Sequence, residues 1–206
     1  MTVPQNPIAM TAPIRLVAGL GNAGREYVAT RHNAGFWFAD ALGAKLGASF
    51  AREAKFAGDV ARAGALRIVK PSTYMNLSGQ SVAPLANFLG IAPEEILVVH
   101  DELDLPAGEV KLKLGGGVAG HNGLKDIRAK LGSAEFWRLR LGIGHPRDSE
   151  IPQQEVVDFV LRPPARAERT AIDSAIDRGL DVFDDLARGD FERAMLTLHT
   201  RSKDSP

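Results

Sequence analysis

Apolar residues fall in short runs along this chain, alternating between strand-like and helix-like spacing. Ile14–Leu20 is a nearly continuous aliphatic run and reads as a buried strand, as does Ile96–Val99. Between them Phe36, Phe38, Ala39, Leu42 and Leu46 recur on one face of a helix over 36–46. Phe56–Ala63 and Leu66–Lys70 read as a hairpin around Ala63-Gly64-Ala65, and Ser81–Leu89 as a short helix ended by Gly90. Val110–Leu114 alternates lysine with apolar residues, the pattern of a half-exposed strand near a sheet edge. Gly123–Leu131 is a helix closed by Gly132, Phe136–Ile143 another alternating strand, and Glu155–Leu161 a short helix or strand. Ile172, Ile176, Leu180 and Phe183 share one side of a long amphipathic helix, Arg166–Arg188, and Phe191–His199 makes a last helix. This order predicts a single α/β domain with a mixed sheet, one side covered by the C-terminal helices.

Composition narrows the chemistry. The chain has 206 residues and no cysteine, which removes disulfides, thiolate metal sites and a cysteine nucleophile. That absence fits a reducing compartment, and the expected location is cytoplasmic. No apolar run approaches the ~18 residues of a membrane span. Residues 1–13 contain neither Lys nor Arg and no apolar block, so they read as a disordered lead, with Met10 as an alternative start. The domain is expected over 14–200, with 201–206 as a tail. Net charge is zero, yet residues 105–149 hold 8 basic and 4 acidic side chains, while 150–206 hold 8 and 12. Taken alone, that imbalance is ordinary surface variation.

Gly19-Leu20-Gly21-Asn22-Ala23-Gly24, directly after the first strand, imitates a dinucleotide-binding fingerprint. The imitation fails further on. A Rossmann unit needs a continuous helix after the glycines and an acidic residue ending a second strand. Here Asn33 and Gly35 interrupt the helical reading, and Asp40 lies inside the 36–46 helix. What remains is a sharp turn that presents Asn22 beyond the carboxyl end of a strand, where open α/β sheets carry their sites.

Polar groups concentrate in loop segments: Asn22; Arg31-His32-Asn33; 71–79; 100–106; and 115–123. A lone histidine is more often structural than catalytic, but the neighbours of His32 are Arg, Asn and Gly rather than an apolar face. Asp101, following a buried strand, is suited either to a turn or to orienting an imidazole. Asn22, Asn76 and Asn122 each precede a turn or helix start, where capping is the plain explanation. Their alternative use is to hold a carbonyl or a developing oxyanion. No histidine–carboxylate metal pattern, G-x-S-x-G elbow or Walker A sequence occurs, so water activated by a histidine is the economical hydrolytic chemistry. Lys111 and Lys113 share one strand face and Arg138 and Arg140 another, which suits equally a phosphate clamp or a solvated surface.

Together these motifs resemble bacterial-type peptidyl-tRNA hydrolases. The resemblance runs from about Ile14 to His199 and rests on G-L-G-N-A-G, T-R-H-N-A-G at 30–35, Y-M-N-L-S-G at 74–79, H-D-E-L-D-L-P at 100–106, G-H-N-G-L-K-D-I at 120–127 and R-L-R-L-G-I-G-H-P at 138–146. It implies a mixed, twisted β-sheet surrounded by α-helices, acting as a monomer without metal or other cofactor. It further implies cleavage of the ester between a peptide and the tRNA 3′ ribose. By that resemblance His32 is the base and Asp101 its orienting partner, while Asn22 places the reacting groups. Asn76 and Asn122 hold the peptide and position the water, Tyr27 and Tyr74 belong to the substrate and tRNA site, and Lys113 and Arg140, with Lys111 nearby, grip the tRNA 5′-phosphate. The chain departs from the family pattern at Ala23, where proline is common, at Val118-Ala119 in the glycine loop, and over Arg147–Gln154, a longer segment with the character of a lid.

Overall fold

The computed structural model describes residues 12–118 and 120–200. Most of the expected lead (1–11), the tail 201–206 and the departure at Ala119 lie outside the described residues. A seven-stranded sheet runs through the molecule in the order β2-β3-β4-β1-β5-β7-β6. Its strands are β1 (Leu16–Gly19), β2 (Ala51–Glu53), β3 (Gly58–Ala63), β4 (Leu66–Pro71), β5 (Ile96–Glu102), β6 (Val110–Leu114) and β7 (Trp137–Gly142). Strands β4, β1, β5 and β7 are mutually parallel, whereas β2, β3 and β6 join antiparallel at the two sides. The sheet is thus mixed, and Val110–Leu114 is an edge strand, as its alternation predicts.

The two faces of the sheet bury different partners. Val17, Leu97, Val99, Leu139 and Leu141 pack with α1 (Ala34–Lys45) and the C-terminal helices α5 (Arg166–Asp181), α6 (Phe183–Arg188) and α7 (Phe191–Thr200). Leu16, Ala18, Ile96 and Val98 pack with α2 (Gly79–Leu89) and α3 (Asn122–Leu131). Each large side chain buried this way, such as Phe38 or Phe136, contributes about 1.5–3 kcal/mol.

Three expectations need correction. The helix over 166–188 is two helices, Arg166–Asp181 and Phe183–Arg188, joined by a turn at Val182 (φ −94°, ψ 0°). That turn lets the consecutive residues Val182 and Phe183 both enter the core. Gly35 does not interrupt a helix but lies in the first turn of α1. A β-carbon there would stand 2.3 Å from both Leu20 N and Val99 O, so glycine permits the helix to touch two strands. The first hairpin strand begins at Gly58 rather than Phe56, because Ala54–Phe56 forms a 3₁₀ turn ending in left-handed Ala57 (φ 45°). Residues 155–161 resolve as one short helix, α4 (Val156–Val160). The suspected lid after Arg147 starts within a 3₁₀ turn, Pro146–Asp148.

Because the four parallel strands point the same way, their carboxyl ends deliver Asn22, Tyr74-Met75-Asn76, Asp101 and His145 to one side of the molecule.

Candidate active site

A cavity of about 950 Å³ opens at these strand ends. Of the residues expected in a site, Asn22, His32, Tyr74, Asn76, Asp101, Lys113, Asn122 and Arg140 line it. Tyr27 and Lys111 do not. Tyr27 meets Tyr74 edge-on, with ring centroids 6.4 Å apart, so it supports the rim from behind. Lys111 turns to Glu109, 3.7 Å away.

His32 sits on a 3₁₀ turn, Arg31–Asn33, which leads directly into α1. Its two neighbours fix that turn. Arg31 donates to the carbonyls of Phe159 (3.2 Å), Arg162 (3.3 Å) and Pro163 (3.2 Å), pairs with Glu168 at 2.7 Å, and stacks over the Phe159 ring. Asn33 reaches the other way: its Oδ1 accepts from Asn22 N (2.9 Å) and its Nδ2 donates to Asn22 O (3.0 Å). Asn33 therefore does not cap α1, and serves to hold the Asn22 turn. Asn22 Oδ1 in turn accepts from Met75 N at 2.6 Å. Only the oxygen of an amide can accept that bond, so Asn22 Nδ2 is the donor left for the cavity.

Between these loops His32 Nδ1 lies 3.0 Å from each oxygen of Asp101. Asp101 is nearly fully buried, and Nδ1 is committed to it, so Nε2 is the ring nitrogen available to a reactant. Burial opposes charging of His32, but the Asp101 charge and hydrogen bond outweigh it and raise the imidazole above its ordinary value. Burial likewise favours the neutral form of Asp101; the facing His32 and His121 overcome it and hold the carboxyl well below the usual carboxylate range.

His121 is a site residue that the sequence reading passed over while singling out its neighbour Asn122. It is the N-cap of α3, accepting from Leu124 N through Nδ1 (3.4 Å) and donating through Nε2 to Asp101 Oδ1 (3.0 Å). A signal was present, since G-H-N-G opens a helix, where an acceptor side chain is wanted. His32, Asp101 and His121 bring possible metal-ligand atoms within 4.8 Å of one another. The hydrogen-bond roles disfavour ligation. With Nδ1 accepting, the proton of neutral His121 is on Nε2, the atom a metal would need; moving it to Nδ1 would set it against the Leu124 N–H.

Asn76 and Asn122 stand exposed on the cavity wall, brought together by α2 packing on α3. Asp126 of α3 accepts from Gly79 N at 2.7 Å, and a β-carbon on Gly79 would lie 2.6 Å from Asp126 O. On the other wall, register sets Lys111 opposite Arg140 and Lys113 opposite Arg138, so all four cations share one sheet face. They are not equivalent. Arg138 is buried and donates to the carbonyls of Gly115 and Gly117, fixing the glycine loop. Arg140 spends its Nε on Glu102 (2.8 Å), which aims the rest of the guanidinium outward.

A mixed α/β domain whose strand ends join an oriented imidazole to amide donors and a basic wall has the character of a general-base hydrolase, not of a nucleotide-cofactor enzyme. Residues 16–206 match the model of the family described as peptidyl-tRNA hydrolase. The chain belongs to that family, enzymes that hydrolyse the ester bond of peptidyl-tRNA. It is 58% identical over 196 residues to the peptidyl-tRNA hydrolase of Bordetella avium (93% of this chain, 94% of the relative). It is 55% identical to that of Neisseria meningitidis (93% of this chain, all of the relative). The crystal structure of peptidyl-tRNA hydrolase from Acinetobacter baumannii superposes with a TM-score of 0.85 at 45% identity, covering 90% of this chain and 94% of that one. Among the described residues no helix is long and apolar enough to cross a membrane.

Proposed function

We propose that His32 is the general base for hydrolysis of peptidyl-tRNA in this protein, and that the reaction recycles tRNA from prematurely released peptidyl-tRNA. The observation that carries this is the clamp of Asp101 on His32 Nδ1, 3.0 Å from both oxygens, which leaves Nε2 to the cavity. Nε2 takes a proton from water as the water oxygen attacks the ester carbonyl. The tetrahedral intermediate then collapses, and the imidazolium returns the proton to the departing ribose oxygen. Asp101 stays ionised throughout and stabilises the imidazolium. General-base assistance of this kind supplies about 10²–10⁴-fold.

Asn22 Nδ2 is the donor for the developing oxyanion, while Asn76 and Asn122 hold the peptide backbone. Gripping main-chain amides suits a substrate whose side chains vary. Lys113 and Arg140 take the tRNA 5′-phosphate, a contact that gives affinity without reading bases. Tyr74, backed by Tyr27, borders the tRNA 3′ end, and Lys111 contributes only long-range charge. The enzyme acts as a monomer in the cytoplasm, where its substrate arises.

Release of tRNA from N-acetylated aminoacyl-tRNA, measured for wild type and His32→Ala, tests the assignment. Loss of about 10² or more in kcat with tRNA binding retained is expected. Undiminished turnover in the variant would remove His32 from the mechanism.

A further inference from the structure

His100 takes no part in the steps above, yet it is among the most buried polar side chains, 1% exposed. It precedes Asp101 in β5, so the two side chains leave the strand on opposite faces. Its Nδ1 donates to the backbone carbonyl of Asp101 at 2.7 Å. Its ring meets that of His121 edge-on, centroids 4.9 Å apart at 73°. His121 is itself 5.3 Å, ring to ring, from His32. Nε2 of His100 is buried without a hydrogen-bond partner among the described residues.

We propose that His100 is a positioning residue for the hydrolysis: bound to the main chain of Asp101 and packed on His121, it sets both groups that bracket His32. The proposal rests on His32 being the base. Asp101 carries one negative charge and receives two imidazole N–H bonds. Its carbonyl and strand end must stay fixed for both bonds to remain at 3.0 Å, and the His100 donor does that from the opposite face. The edge contact stops the His121 ring from rotating away from the same carboxylate.

The protonation state of His100 agrees with that role. The groups facing it are His121 from α3, Arg138 and Arg140 from β7, and Asp101 and Glu102 from its own strand. Burial first, then the neighbouring His121, push the ring down to about 3, so it remains neutral at any working pH. A second imidazolium beside Asp101 would divide the charge that His32 requires. A neutral ring with its proton on Nδ1 leaves that charge whole, and the unpaired Nε2 is the cost.

The test compares His100→Phe, which keeps a ring but loses the donor, with His100→Asn, which keeps a donor near Nδ1, and with His32→Ala. In folded His100→Phe, kcat on N-acetylated aminoacyl-tRNA should fall about tenfold with KM little changed, the scale expected for slight misplacement of reacting groups. The acid limb of its kcat–pH profile should move to lower pH, because a loosened Asp101 raises His32 less. His100→Asn should recover much of the lost rate. Wild-type kcat and an unmoved limb in His100→Phe, with His32→Ala inactive, would overturn the role of His100 and leave the base intact. Activity in His32→Ala would overturn the base itself. Should both His100 variants fail to fold, ring ¹⁵N–¹H correlation spectra of the wild-type enzyme decide: the Nδ1–H tautomer, unchanged between about pH 5 and 8, is expected. An Nε2–H tautomer or a titration in that interval would overturn the proposal.

Discussion

Asn33→Ala isolates the part of the site that is built by backbone clamping. Asn33 is 2% exposed and Asn22 7%, and the Asn33 amide pairs with both the N–H and the C=O of Asn22, at 2.9 and 3.0 Å. Truncation leaves one buried donor and one buried acceptor unpaired, each costing about 1–3 kcal/mol. A total of about 2–6 kcal/mol is a large share of a typical stability of roughly 5–15, yet the fold should survive. For a chain of this size that means a Tm lower by roughly 4–24 °C. The catalytic effect is separate. Asn22 keeps its bond to Met75 N but loses the restraint that sets where its Nδ2 points, so kcat should fall up to about 10²-fold with tRNA affinity preserved. Thermal unfolding and single-turnover release of tRNA from N-acetylated aminoacyl-tRNA read the two effects independently. A variant that melts with the wild type and turns over at its rate would show that Asn33 does not hold the oxyanion donor.

The other expectations concern the basic wall, pH and packing. Lys113→Ala or Arg140→Ala should weaken tRNA substrates and lower the salt slope of binding by about one. Lys111→Ala should change little, and short acyl-nucleotide esters should be hydrolysed normally by all of them; equal losses on those esters would refute the clamp. With His32 raised, its proposed role as the neutral base requires kcat to climb with pH through a midpoint above the ordinary histidine value of about 6.5. Stability should run the opposite way. The contribution of a raised histidine is full below its unfolded pKa and is lost as pH rises through the folded one, so the Tm gap between wild type and His32→Ala should narrow over the interval where activity appears. A gap that widens there would contradict the assigned shift. Gly35→Ala should fail to yield stable protein, because its β-carbon meets the backbone of β1's exit and of β5 at 2.3 Å; a variant of ordinary Tm would show that α1 can move off the sheet.

The fold was legible where burial follows simple periodicity. Ile14–Leu20 and Ile96–Val99 carry continuous aliphatics because β1 and β5 are covered on both faces, and Val110–Leu114 alternates because β6 is an edge. It was not legible where tertiary contact overrides local preference. Gly35 reads as a helix breaker until the 2.3 Å approach of two strands gives it a reason, and Arg166–Arg188 reads as one helix because the turn at Val182 changes no periodicity. Ala51–Glu53 was missed altogether, since three mostly exposed residues at a sheet edge leave no apolar signature.

The site was legible by kind but not by rank, and the difference has a physical cause. A spacing of two places Lys111, Lys113, Arg138 and Arg140 on strand faces without saying what stands over each. In the fold Arg138, Lys113 and Arg140 all border the cavity, but the glycine-loop carbonyls take both terminal nitrogens of the buried Arg138, Glu109 draws off Lys111, and Glu102 aims Arg140, so Lys113 and Arg140 are the cations left to a ligand. The histidines divide by the same logic. His32, His100 and His121 all reach Asp101, two through its carboxylate and one through its backbone carbonyl. Of these, His32 has one nitrogen fixed on the carboxylate and the other, among the described residues, unclaimed. His121 has both nitrogens bonded, and His100, although it borders the cavity, has its Nε2 buried. On the proposed mechanism, the availability of a single lone pair is what suits His32 to act as the base, and that is a property of the assembled strand ends rather than of any motif.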